Sequence, residues 1–178
     1  MLLDFLALTD EQLYAYFKAL PALASSGPAV SWAGDTQSPN WFDIAREYTE
    51  KWLHQQHIRE AVAQPVLAER QWLFPVLDTF MRALPHTYRA ISAPEGTQIW
   101  FHISGEAGGD WSLLRQAERW ILLSGAAPAA VATVRLDPDT AWRSFTKGIS
   151  PAAAQAKTQV TGDATLGLGI LDMVSIMA

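Results

Sequence analysis

The 178-residue chain contains no cysteine. Disulfides, thiolate metal ligands and a protein thiol nucleophile are therefore excluded, and thiol chemistry would need an external thiol. Basic residues are in the minority: 13 Lys and Arg stand against 18 Asp and Glu, a net charge of -5. No run of Lys and Arg forms a local exception, so no nucleic-acid partner is expected. A run of about 18 apolar residues is also missing, so no membrane span is expected. The start Met1-Leu-Leu-Asp-Phe-Leu lacks the basic segment and the full apolar run of a secretory signal, which makes the cytoplasm the expected location. Gly-x-Ser-x-Gly, phosphate-loop and dinucleotide fingerprints do not occur. The glycine-rich stretch 105–110 has no following helix and reads as a hairpin turn. The composition, 49% hydrophobic and 17% charged, is that of a soluble chain with enough residues for one good core or two small domains. Tryptophan is abundant: there are eight, and most are expected in the core because each ring buries a large area.

Residues 41–62 carry the strongest pattern, one long amphipathic helix. Ser38 can cap it, and Pro39 suits the first helical position, where a missing N–H costs nothing. Trp41, Ile44, Ala45, Tyr48 and Trp52 form an apolar stripe at three- and four-residue steps. Asp43, Glu47, Glu50, His54 and His57 form a polar one. Glu50 and His54 are helical neighbours. Together they can hold a divalent metal such as zinc or form a solvated ion pair. Catalytic zinc normally takes three protein ligands. His57 stands one turn further on and can supply the third nitrogen, or its position is chance. Glu47 can orient His54 or face solvent.

Upstream, Thr9-Asp-Glu-Gln12 reads as a capping box for a first helix reaching residue 24, with Leu13, Tyr16, Phe17 and Leu20 on its apolar face. Residues 25–39 are a loop. A third helix spans 70–84, its regular part starting at Pro75 and Pro85 ending it. Strands are expected at 97–104, 111–115, 120–124 and 130–136, with a short fifth at 158–161. Asp137-Pro138 opens a helix to Gly148, and 166–177 is a final helix weakened by Gly167 and Gly169. Trp100, Trp111 and Trp120 on successive strands either line a ligand pocket or fill the core, core packing being the expectation. His102 alternates onto the face of Trp100 and is expected to be exposed.

The sequence around Glu50-x-x-x-His54 resembles the last bundle helix of the mycothiol-dependent maleylpyruvate isomerase-like family, part of the DinB-like metal-binding bundles. The lead-in Ser31-Trp-Ala-Gly34 is similar as well. The family's first two helices, and the histidine they carry, have no counterpart here. The downstream half resembles a sterol-carrier-protein-like domain, through the three-stranded meander, Leu136-Asp-Pro-Asp-Thr-Ala-Trp142, Lys147-Gly148 and Val160-Thr-Gly-Asp163. The family often carries such a domain after its bundle.

The resemblance implies an α+β fold: residues 1–67 form a partial helical bundle, and 68–178 a sterol-carrier-like α/β sandwich with a mainly antiparallel sheet of about five strands. It also implies metal ligation by Glu50 and His54, to which helical spacing alone adds His57, and contact of Arg59 with a cofactor. The alternative for Arg59 is a salt bridge to Glu60 or a nearby acid. No catalytic residue is assigned. Two functions from different classes follow. One is an isomerase or transferase dependent on zinc and on mycothiol or a similar thiol, incomplete as this chain alone. The alternative is a non-catalytic accessory protein binding a small apolar ligand. Two helices cannot bury both their apolar stripes, so a homodimer through the N-terminal helices is expected to rebuild a four-helix bundle; in the rival arrangement the helices fold back onto the second half.

Overall fold

A computed structural model describes residues 2–176. Helices α1 (Leu2–Ala19), α2 (Asn40–Ala61), α3 (Arg70–Met81) and α4 (Leu84–Thr87) come first. Strands β1 (Gln98–Ile103), β2 (Gly109–Gln116), β3 (Arg119–Ser124) and β4 (Ala132–Leu136) follow. Helices α5 (Pro138–Phe145) and α6 (Pro151–Lys157), strand β5 (Gln159–Gly162) and helix α7 (Ala164–Leu168) complete the order.

The strands form one sheet in the order β3-β2-β1-β4-β5. It is mixed rather than mainly antiparallel, because β1 and β4 run parallel while the other pairs are antiparallel. The reason is topological. Two hairpins carry the chain out to the β3 edge, and residues 125–131 bring it back to the free side of β1, where it enters in the direction of β1.

Strand alternation sorts the two faces. Ile99, Phe101, Ile103, Trp111, Leu113, Trp120, Val134 and Leu136 point to the buried side. There they meet Leu77, Phe80, Leu84 and Tyr88 of the α3–α4 region and Trp142 and Phe145 of α5 in one cluster. Trp100 lies on the opposite, uncovered face and is half-buried, so only Trp111 and Trp120 of the three strand tryptophans are core.

Helix α2 belongs to that same core. Trp52, 4% exposed, stands edge-on to Trp142 with ring centres 5.4 Å apart and donates from Nε1 to the Leu67 carbonyl at 3.3 Å. The buried side of α2 is not the all-apolar stripe expected. Phe42, Arg46, Thr49, Leu53 and Gln56 are buried with Trp52, whereas Trp41, Ile44, Ala45 and Tyr48 are half-buried. Polar residues are tolerated there because each is bonded. Arg46 pairs with Asp43 at 2.7 Å and Glu47 at 2.9 Å. Gln56, fully buried, donates to the Trp52 carbonyl and accepts from the Leu67 N–H at 2.9 Å. Ser38 does not cap α2; its hydroxyl accepts from the Val30 N–H and donates to Asp35, and Pro39 occupies the cap position.

Other boundaries shift for local reasons. Thr9 lies inside α1 and its hydroxyl donates to the Leu6 carbonyl, so it does not open the helix. Pro75 is accommodated within α3, and Pro85 sits in the first turn of α4 instead of ending a helix. Beyond α7 a 3-10 turn, Gly169–Asp172, replaces the expected helix, because Gly169 abuts the Tyr88 ring and Tyr88 Oη takes the Leu166 carbonyl at 2.7 Å. Met177, the expected end of that helix, lies outside the described residues. Helix α1 reaches α2 through the ion pair Lys51–Asp10 at 2.8 Å, yet Leu3, Phe5, Leu6, Leu8, Tyr14 and Tyr16 stay exposed. Among the described residues no helix is long and apolar enough to cross a membrane.

Candidate functional site

The α2 polar stripe comes first. Helical spacing puts Glu50 and His54 side by side, with His54 Nε2 4.0 Å from Glu50 Oε2. The pair is unequal: His54 is 72% exposed while Glu50 is only 21% exposed. One oxygen of Glu50, Oε1, is buried without a hydrogen-bond partner. His57 stands beside His54, the ring centres 6.2 Å apart. Arg59 is nine residues from Glu50, about half a turn round the helix, and so does not join it. Its Nε is buried without a partner, and Glu60 pairs with Arg143 of α5 rather than with Arg59. Among the described residues no three His, Cys, Asp or Glu side chains are grouped so that they could hold a metal ion. Two neighbouring donors on an exposed helix face fit a surface pair, and do not fit a closed or catalytic zinc site.

A second region is apolar. The turn between α5 and α6 faces the C-terminal segment across an open cleft of about 520 Å³. Ile149, Pro151, Leu171, Met173 and Val174 supply its apolar wall, with Ser144 and Lys147 alongside. Both sides are pinned. Ser150 caps α6 by accepting from the Ala153 N–H, and Pro151 takes the first helical position. Opposite, buried Ser175 donates from its N–H to the Phe145 carbonyl and from its hydroxyl to the Phe80 carbonyl.

The third region lies at one end of the uncovered sheet face. His102, Ser104, Arg135, Leu136, Asp137, Lys157 and Gln159 line an open hollow of about 330 Å³ with a polar surface. Register explains the grouping: Asp110, His102, Arg135 and Gln159 are aligned across β2, β1, β4 and β5. Asp110 Oδ1 accepts from Trp100 Nε1 at 2.8 Å and contacts His102 Nδ1 at 2.9 Å. An ionised carboxylate only accepts, so Nδ1 carries the proton and Nε2 is the open position of the ring. Arg135 lies 5.4 Å from the centre of the Trp100 ring. Asp137 is committed to capping α5, accepting from the Thr140 N–H at 2.9 Å and its hydroxyl at 2.6 Å. Burial alone would raise the Asp137 pKa, but the two Thr140 bonds and nearby Lys157 hold it below the usual carboxylate value.

No protein-family model and no curated protein matches the sequence. Solved structures give partial likenesses. Sterol carrier protein 2 like 2 from Aedes aegypti is 15% identical, at a TM-score of 0.41, over 55% of this chain and 95% of its own. UbiJ-SCP2, a ubiquinone synthesis protein, is 17% identical, at a TM-score of 0.34, over 54% of this chain and 84% of its own. Sterol carrier protein-2 like-3 from Aedes aegypti is 16% identical, at a TM-score of 0.35, over 53% of this chain and 92% of its own.

Neither the apolar cleft nor the Arg135–Lys157 grouping was named as a site by sequence reasoning. The signals were faint. Ser150-Pro151 before an alanine run is a cap and first-turn proline that announces α6. The alternation of Val134, Arg135 and Leu136 puts Arg135 on the face of His102 once β1 and β4 are paired, a pairing that residue spacing does not reveal.

Proposed function

We propose that the chain is a non-catalytic accessory protein of the sterol-carrier-like type that holds a small apolar ligand in the cleft between the α5–α6 turn and the C-terminal segment. The cleft itself carries this reading. Its volume of about 520 Å³ lies in the range of small-molecule sites, roughly 300–1,000 Å³. Its wall is aliphatic, with a single charged side chain, Lys147, among the lining residues. The space between sheet and helices offers no rival, since Phe80, Tyr88, Phe101, Trp142 and Phe145 fill it with fully buried rings. A ligand is therefore held at the seam, against Leu171, Met173 and Val174, and not beneath the sheet. The sequence resemblance of 68–178 to sterol-carrier-like domains supports the type. The α2 stripe contributes nothing to this function.

Titration of the full chain with a fluorescent fatty acid tests it. The expected result is saturable binding of one probe per chain, weakened at least tenfold by Val174→Asp and unchanged by Arg135→Gln. Absence of saturable binding, or equal binding by the Val174→Asp variant, would overturn the reading.

A further inference from the structure

We propose that the polar pocket on the uncovered sheet face is a binding site for a small oxyanion, the carboxylate or phosphate group of a small molecule. The chain carries a net charge of -5, yet this pocket is lined by the cations Arg135 and Lys157 against one carboxylate, Asp137. That carboxylate is already occupied by the Thr140 N–H and hydroxyl at the start of α5. The other nearby acid, Asp110, faces His102 and Trp100 from β2 and is occupied by both. Neither Arg135 nor Lys157 has an ion-pair partner among the described residues. Two permanent cations thus converge on one space against the single lining carboxylate of Asp137, which Lys157 meets electrostatically, and the surplus of positive charge draws anions.

The geometry is held in place. Arg135 lies against the Trp100 ring, which orients a guanidinium through its π face without cancelling its charge. Trp100 is in turn fixed by its indole bond to Asp110. Asp110 also holds the His102 ring in one orientation, leaving Nε2 as the ring's free position. Ser104 and Gln159 add a hydroxyl and an amide, both able to donate. Arg135, Lys157, Ser104 and Gln159 all offer donors to this space, which suits a carboxylate or phosphate better than a neutral apolar ligand. This site is separate from the apolar cleft, with no lining residue in common.

The test uses inorganic phosphate and, separately, acetate, titrated into the full chain at low ionic strength with imidazole NMR resonances as the readout. Saturable displacement of the His102 resonances by at least one of the two anions is expected, and the tighter of the two names the group. Arg135→Gln and Lys157→Gln should each weaken binding at least tenfold, while Lys147→Gln, in the apolar cleft, should leave it unchanged. Should Arg135→Gln disturb the fold through its lost stacking on Trp100, Lys157→Gln carries the test alone. Unsaturable shifts with both anions, or equal losses for Lys147→Gln and Lys157→Gln, would overturn the proposal as general screening.

Discussion

Replacing Trp52 by alanine should be among the most damaging single changes in α2, and should damage the whole protein. The ring is 4% exposed, meets Trp142 edge-on and bonds to the Leu67 carbonyl. Removing a buried aromatic ring generally costs about 3–5 kcal/mol. For a chain of this length each kcal/mol lowers the melting temperature by about 2–4 °C, so a fall of roughly 6–20 °C is expected. His54→Ala is the control, since a side chain 72% exposed at 4.0 Å from its partner contributes at most about half a kcal/mol. The assay is thermal and urea unfolding followed by circular dichroism and Trp fluorescence. Trp52→Ala should shift one cooperative transition, because Trp52 and the sheet share one core. Equal losses for the two variants would refute the placement of α2. So would an early separate transition with the remainder melting at the wild-type temperature.

Gln56→Ala should cost roughly 1–3 kcal/mol in urea unfolding, because it leaves the Leu67 N–H without its partner. The Asp137 pKa is depressed in the folded state, so its contribution is present above the unfolded carboxylate value, about 3.9, and is lost as pH falls through the lower folded value. Stability measured between pH 5 and 2 should therefore fall less steeply in Asp137→Asn, which keeps the cap but cannot titrate. Tyr88 is raised by burial and by Asp172, so it stays neutral at ordinary pH, and Tyr88→Phe should lose about 1 kcal/mol with its bond to the Leu166 carbonyl. The exposed apolar side chains of α1 lead us to expect a dimer mass in light scattering at high protein concentration, reduced toward monomer by Phe5→Asp; a monomer mass throughout would contradict it.

Local chemistry was legible at some single residues and not at others: Ser38 and Thr9 do not cap their helices, and Pro85 does not end one. Asp137-Pro138 opened α5 as its side chain and ring dictate, and strand alternation placed Phe101 inside and His102 outside. What could not be read was decided by partners distant in sequence. The parallel pairing of β1 with β4 follows from where residues 125–131 cross. The buried face of α2 follows from Gln56 meeting Leu67 and Trp52 meeting Trp142, contacts that let Arg46, Thr49 and Gln56 share it with Phe42, Trp52 and Leu53. Glu50 and His54 illustrate the limit from the other side. Their spacing correctly placed them on one face, but spacing does not tell a metal site from a surface pair. That distinction depends on whether a third donor converges from elsewhere in the fold.

The proposed function turns on where an apolar ligand sits. Methyl-resolved NMR of the full chain, titrated with a medium-chain fatty acid, measures this. The account predicts saturable shifts at Ile149, Leu171, Met173 and Val174, with Leu77, Ile99 and Val134 unmoved. Shifts concentrated at Leu77, Ile99 and Val134 would place the ligand between sheet and helices and contradict it.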